Sequence, residues 1–341
     1  MRLTIRDERA AQRIDDQGTG IGFAEKGGTT PPLCLGARCR IIMSGDEDHG
    51  QPTALGLEHS LQFESRHAGE LDVHQQAAKG SPHGIAEKGL AAGMNVVRVN
   101  QRNCGGTDHL APTLYNSSLS GDVAAVARHV ITHDKITRFV LVGFSMGGNL
   151  VLKLLGEWGT QAPAQVKAGI GVSPAMDLAA SADALHDRVN RIYEWRFLRG
   201  LKKRIERKAA LYPGRYDTSY LRRLQSLREF DDRVTARYCG FAGAQDYYTR
   251  AASAQVLDRI AVPTLILHAE DDPFIRVLPD TRQKLLQNPH ITYLETAHGG
   301  HCAFLTEPNG YDGRWAERQA IAFVQRVERG ESVAAPDWAG S

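Results

Sequence analysis

From about residue 85 the chain alternates short apolar runs with amphipathic stretches. Residues 84–93 predict a short helix ending at a glycine, and Asn95-Val-Val-Arg-Val99 predicts a strand. Residues 119–132 set Val123, Val126, Val130 and Ile131 on one face at helical spacing. The run 139–142 reads as a buried strand and 148–158 as the helix after it. A third strand covers 168–172, closed by Ser173-Pro174. Val262-Pro263 announces a strand over 264–268, and 291–294 is the last. Residues 315–327 repeat apolar positions as an amphipathic helix. Continuous apolar strands separated by helices predict an α/β protein with a mostly parallel sheet covered by helices on both faces.

Two stretches break the alternation. Residues 177–252 are helical, basic and aromatic, as in Arg191-Ile-Tyr-Glu-Trp-Arg-Phe-Leu-Arg-Gly-Leu-Lys-Lys-Arg-Ile205. This predicts a helical cap inserted in a domain spanning 85–330, with Trp195 and Phe197 large enough to bound a substrate pocket. Residues 1–84 are rich in Gly, His, Gln, Asp and Arg, and only Arg40-Ile-Ile-Met43 resembles part of a strand. They read as an atypical N-terminal segment, disordered or decayed. Residues 331–341 read as a flexible tail.

Composition narrows the class. The chain has 341 residues and a net charge of +2, so no strong overall field argues for nucleic acid. Its five cysteines, Cys34, Cys39, Cys104, Cys239 and Cys302, are odd in number and lack zinc or disulfide-framework spacing, which fits a reducing compartment. The first residues hold no apolar core of signal-peptide length, and no run approaches the ~20 apolar residues of a membrane span. A cytoplasmic protein without metal or organic cofactor is expected.

The chemistry concentrates at Gly143-Phe-Ser145-Met-Gly147. An apolar strand precedes it and a helix follows at once. This is the tight turn that lifts a nucleophilic serine above a sheet, where side chains at positions 143 and 147 would clash with the crossing strand and helix. The Met146 N–H then faces the place where an oxyanion would form. A serine needs a base, and the base an orienting carboxylate. Past the strand at 264–268 comes Asp271-Asp272-Pro-Phe274, and past the last strand comes His298-Gly-Gly-His301. Asp272 is favoured as the acid, with Asp271 capping the turn. His301 is favoured as the base because it lies beyond the flexible glycine pair. The His298-x-x-His301 pair sits on a glycine loop rather than a helix, which disfavours a zinc reading.

These residues resemble the α/β-hydrolases, and within them the YheT-like branch. The resemblance rests on Arg102-Asn-Cys-Gly-Gly106, Gly143-Phe-Ser-Met-Gly-Gly-Asn149, Arg228-Glu-Phe-Asp-Asp232, Asp246-Tyr-Tyr248, Asp271-Asp-Pro-Phe274 and His298-Gly-Gly-His301. It runs from about residue 84 to 327. It implies a Ser145–Asp272–His301 triad and ester-type substrates, short-chain carboxylic esters and acylglycerols among them. Members also carry a His-Gly motif after an early strand, whose loop donates the second oxyanion N–H. Here His49-Gly50 follows Ser-Gly-Asp-Glu-Asp, and residues 64–72 are polar where a buried strand is expected, so the second donor has no assignment.

The leading expectation is a serine ester hydrolase working through an acyl-enzyme. A thioesterase or acyltransferase on the same triad, or a catalytically impaired binding protein, are the rivals. Ile192, Trp195, Leu198, Leu201 and Ile205 form an apolar stripe beside a cationic face, a candidate for weak peripheral membrane contact, against the plainer reading of a packed stripe with solvated charges. Cys104 reads as a structural thiol.

Overall fold

The computed structural model describes residues 82–308 and 310–333 and, of those before them, the backbone of four strands. His49-Gly50, residues 64–72 and residues 334–341 of the expected tail lie outside the described residues.

The strands are β1 (Leu3–Asp7), β2 (Ala10–Ile14), β3 (Ile21–Glu25), β4 (Arg40–Gly45) and β5 (Asn95–Asn100). They continue as β6 (Phe139–Phe144), β7 (Val166–Val172), β8 (Thr264–Ala269) and β9 (Ile291–Thr296). Together they make one nine-stranded sheet in the order β3-β2-β1-β5-β4-β6-β7-β8-β9. Strands β4 to β9 run parallel, whereas β1, β2 and β3 pair antiparallel at one side.

The early strands differ from the expectation. Beyond Arg40–Gly45, three more strands form where none had been read. The sequences Leu3-Thr-Ile-Arg and Ile21-Gly-Phe-Ala alternate apolar and other residues with period two. That is the pattern of an antiparallel strand with one apolar face, not the continuous run of a central parallel strand.

Among the described residues the helices are α1 (Pro82–Ala91), α2 (Ser120–Thr132), α3 (Met146–Trp158), α4 (Leu178–Leu185) and α5 (Arg191–Leu211). Then come α6 (Leu227–Phe230), α7 (Arg237–Cys239), α8 (Ala244–Ala251), α9 (Pro279–Gln287) and α10 (Trp315–Arg329). None is long and apolar enough to cross a membrane.

Strand periodicity divides the core. Phe139 and Leu141 of β6 pack with Val123, Val126, Leu150 and Leu154 on one face of the sheet. Val140, Val142 and Phe144 pack with Ile85, Phe323 and Val324 on the other. Successive strand side chains point to opposite faces, so β6 must be apolar throughout to serve both.

Helices α4 to α8 lie between β7 and β8, and Leu198, Ile205, Leu221, Leu224, Phe230 and Val234 form a separate cluster there. A π-helical turn, Asp231–Ala236, joins α6 to α7. In it Asp231 accepts hydrogen bonds from Tyr248 Oη (2.8 Å) and Thr235 Oγ1 (2.6 Å). Burial outweighs both bonds and pushes the Asp231 carboxyl up to about 6.

The α5 stripe is not one packed face. Leu198 and Ile205 are buried, while Ile192 and Trp195 are exposed. Trp195 therefore does not bound an enclosed pocket. Nor are all the α5 charges solvated. Lys208 is fully buried, with Nζ donating to the carbonyls of Asp108 (2.9 Å) and Ala111. Burial lowers its pKa to about 8. Arg204 is also buried, with Nη1 3.6 Å from Cys104 Sγ and the guanidinium 4.3 Å from the Tyr115 ring centre. These two cations pin the loop after β5 to the cap.

Candidate active site

Ser145 is the single residue between the end of β6 and the start of α3. Its φ is +49°, a conformation that costs a non-glycine residue about 1–3 kcal/mol. Flanking contacts hold it there. Its N–H donates to Val172 O (2.9 Å), and its carbonyl accepts from Asn149 N (3.1 Å) and Ala175 N (3.2 Å). A Cβ at Gly143 would lie 2.1 Å from the Gly147 carbonyl oxygen, so strand and helix meet this closely only with glycine there. Met146 opens α3, and its N–H belongs to the first-turn donors that no helix carbonyl takes. The positive end of the helix adds to the attraction for a negative oxygen.

Asp272 follows β8 and is buried. Its Oδ1 accepts from the N–H groups of Phe274 (3.1 Å) and Ile275 (2.9 Å). Its Oδ2 lies 2.8 Å from His301 Nδ1, and His301 Nε2 lies 3.0 Å from Ser145 Oγ. An acceptor-only carboxylate at Nδ1 puts the ring proton there and leaves the Nε2 lone pair facing the serine hydroxyl. Burial opposes charging of the ring. The Cys302 sulfur and the Asp272 carboxylate outweigh it and hold the His301 pKa well above the ordinary histidine value.

The structure thus brings Ser145, His301 and Asp272 together and leaves their neighbours apart. Asp271 accepts from the Gly300 N–H (2.7 Å) and lies 3.4 Å from Nδ1 of His298, whose side chain is 91% exposed. That pair ties the loop from outside. Among the described residues, no group of three or more His, Cys, Asp or Glu is placed to hold a metal ion.

Three positioning residues have no role assigned from the sequence, although Asn149 and Phe274 stand in the motifs that carry the resemblance. Ser173, fully buried at φ +43°, accepts the Cys302 N–H at its Oγ (3.1 Å) and so fixes the residue after His301. Phe274 sets its ring 4.5 Å from the His301 ring. Asn149, fully buried, donates to Ser117 O and Ala251 O (3.0 Å each) and accepts from Ser253 N (2.8 Å). It locks α3 to the segment before α2 and to the C-terminal end of the cap. The serine that closes β7 and the asparagine four residues after Ser145 were the available signals, but only a structure gives them partners.

A sheet with this order around a serine at such a turn is shared with known proteins. Residues 77–308 match the model of the alpha/beta hydrolase fold. The chain belongs to that family, in its YheT-like branch. This hydrolase is 34% identical over 239 residues to the candidate esterase YheT of Escherichia coli (strain K12), a match covering 69% of each chain. It is 28% identical over 243 residues to the human phospholipase ABHD3, covering 71% of this chain and 59% of that one. Against the monoacylglycerol lipase of Saccharomyces cerevisiae (strain ATCC 204508 / S288c) it is 26% identical over 234 residues, covering 66% and 51%. The chain thus spans between half and three fifths of the lengths of these last two. The fold also matches the solved 2,6-dihydroxy-pseudo-oxynicotine hydrolase with a TM-score of 0.54 at 18% identity, covering 89% of this chain and 65% of that one.

Proposed function

We propose that this hydrolase cleaves carboxylic esters, acylglycerols among them, with Ser145 as nucleophile. The observation that carries the reading is the continuous relay from Asp272 through His301 to Ser145 Oγ, both links at hydrogen-bond distance. Relatives named esterase, phospholipase and monoacylglycerol lipase support the substrate class.

In this reading Oγ attacks the acyl carbon while its proton passes to His301 Nε2. The carbonyl electron pair moves to the oxygen, which the Met146 N–H holds. Collapse of that intermediate expels the alcohol, which takes the proton from Nε2 and leaves Ser145 acylated. Water then gives a proton to Nε2, attacks the acyl carbon, and releases the acid with Ser145 restored. Asp272 keeps the ring in the productive tautomer and balances its charge when protonated.

The second oxyanion donor that the resemblance implies, from the connection after an early strand, has no assignment among the described residues. Ser44 pairs with Gly143, so Gly45 ends β4 on the rim that carries Ser145. The connection itself lies outside the described residues.

A fluorophosphonate probe tests the reading, since it labels only an activated serine. Wild type should label and hydrolyse p-nitrophenyl esters, and Ser145→Ala should do neither while keeping its melting temperature. Turnover by Ser145→Ala equal to wild type would remove Ser145 from the mechanism.

A further inference from the structure

Three large apolar side chains stand in solvent within seven residues of one another: Val189 (83% exposed), Ile192 (71%) and Trp195 (58%). Single exposed apolar residues are ordinary, but a cluster on one ridge is not. Val189 belongs to the 3₁₀ turn Arg188–Asn190, which leads directly into α5. Ile192 and Trp195 are three apart and share a helical face.

Cations surround this ridge. Arg191 and Arg199 are exposed and stand one helical turn before and after Trp195. The Arg199 guanidinium lies 5.5 Å from the Trp195 ring centre. Arg188 and Lys203 are exposed beside them. The acidic residue within the ridge is turned inward. Glu194 is buried, paired with His186 Nδ1 (2.7 Å) and the Leu227 N–H (2.8 Å). Asp187 remains outside at the edge. The face is therefore apolar at its centre and positive around it.

The ridge also adjoins the candidate active site. Asn190 Nδ2 donates to Pro273 O (2.7 Å), tying the start of α5 to the loop that carries Asp272. The Tyr193 ring lies 6.0 Å from Phe274, and Phe274 lies 4.5 Å from His301. Ile192 is thus one residue from a ring that is itself one ring away from the base.

We propose that the outward face of residues 188–203 docks on an anionic phospholipid bilayer and brings lipid esters to the mouth of the Ser145–His301 site. Val189, Ile192 and Trp195 enter the headgroup region, and Arg188, Arg191, Arg199 and Lys203 reach lipid phosphates. Charge complementarity selects this occupant over a neutral surface. The role in catalysis rests on the ester-hydrolase reading, but docking itself does not.

The test is sedimentation of the full-length protein with vesicles. One set is equal parts phosphatidylglycerol and phosphatidylcholine, and the other is phosphatidylcholine alone. Wild type should pellet with the first set, less so at high salt, and weakly with the second. The double variants Ile192→Ser/Trp195→Ser and Arg191→Gln/Arg199→Gln should each lower partitioning by about tenfold or more. Both should keep wild-type turnover of a soluble short-chain ester and an unchanged melting temperature. Variants that pellet like wild type would overturn the proposal, as would a wild type that stays in the supernatant. A dimer in solution that Ile192→Ser/Trp195→Ser dissociates would assign the face to a second copy and overturn it too. Vesicle binding without hydrolysis of any ester would leave the surface standing and defeat the enzymatic reading. Soluble-ester turnover without vesicle binding would do the reverse.

Discussion

Replacing Asp272 by asparagine tests the site at its most buried point. The side chain keeps its size, but one oxygen becomes an NH₂ group. In the native site Oδ1 accepts two backbone N–H groups, while Oδ2 accepts one ring N–H. Placing the NH₂ at the Oδ1 position would set a donor against two donors, each buried N–H left unpaired costing about 1–3 kcal/mol. The substituted amide therefore keeps its oxygen toward Phe274 and Ile275 and turns its NH₂ to His301. The ring must then accept at Nδ1 and carry its proton on Nε2, which can donate to the Ser145 oxygen but has no lone pair to take the hydroxyl proton. A reversal of this kind in a serine protease costs about 10⁴ in kcat, equivalent to about 5.4 kcal/mol of transition-state stabilisation. Because the backbone hydrogen bonds survive, the melting temperature should move little. The assay is kcat on a p-nitrophenyl ester, beside Asp271→Asn. Asp271 touches the Gly300 N–H and an exposed histidine, so its variant should lose about tenfold or less. An Asp272→Asn enzyme within tenfold of wild type would refute the tautomer argument, and so would Asp271→Asn proving the worse of the two.

Because the His301 pKa is held above the ordinary 6.5 and the base must be neutral, kcat/KM should fall as pH drops through a value above 6.5, and Asp272→Asn should shift that limb downward. Asp231 works in the opposite sense on stability: its carboxyl is raised by burial, so the folded protein holds a proton that the unfolded chain has lost. Melting temperature should therefore decline as pH rises from about 4 to about 6, and Asp231→Asn should flatten that slope; an unchanged slope would assign it to other groups. Deleting residues 2–83 removes β4 from between β5 and β6 and should abolish cooperative thermal unfolding; a truncated protein with wild-type melting behaviour would show that β5 and β6 need no strand between them.

Much of the sheet and the candidate site was legible because buried parallel strands are continuous apolar runs. Phe139–Phe144 and Thr264–Ala269 announce themselves in that way, and each is followed by polar residues on the same rim. Asp272 was favoured over Asp271 only by its place in the loop and by the resemblance, not by any pattern of the residues. One residue of loop decides which carboxylate turns inward, and no periodicity governs a loop. The antiparallel strands β1, β2 and β3 were missed because their alternation is short and shared with ordinary polar sequence. The α5 stripe, weighed as one face, divides for another reason. Leu198 and Ile205 are indistinguishable by hydropathy from Ile192, yet only the former have a neighbouring cluster to enter. The burial of Lys208 was equally hidden, since it depends on carbonyls about a hundred residues away.

The position of β4 governs when this protein becomes itself during synthesis. Its two neighbours, β5 and β6, begin at Asn95 and Phe139, far downstream of Arg40. Parallel pairing cannot be nucleated by a hairpin, so the strand must wait until β5 has left the ribosome for its first partner and until β6 has left it for its second. The reacting groups wait longer. Ser145 and His301 are separated by 156 positions, and no shorter segment of chain contains both. Enzymatic turnover in a refolding experiment would therefore appear only after the last strand has joined, which makes activity a late clock for the whole fold.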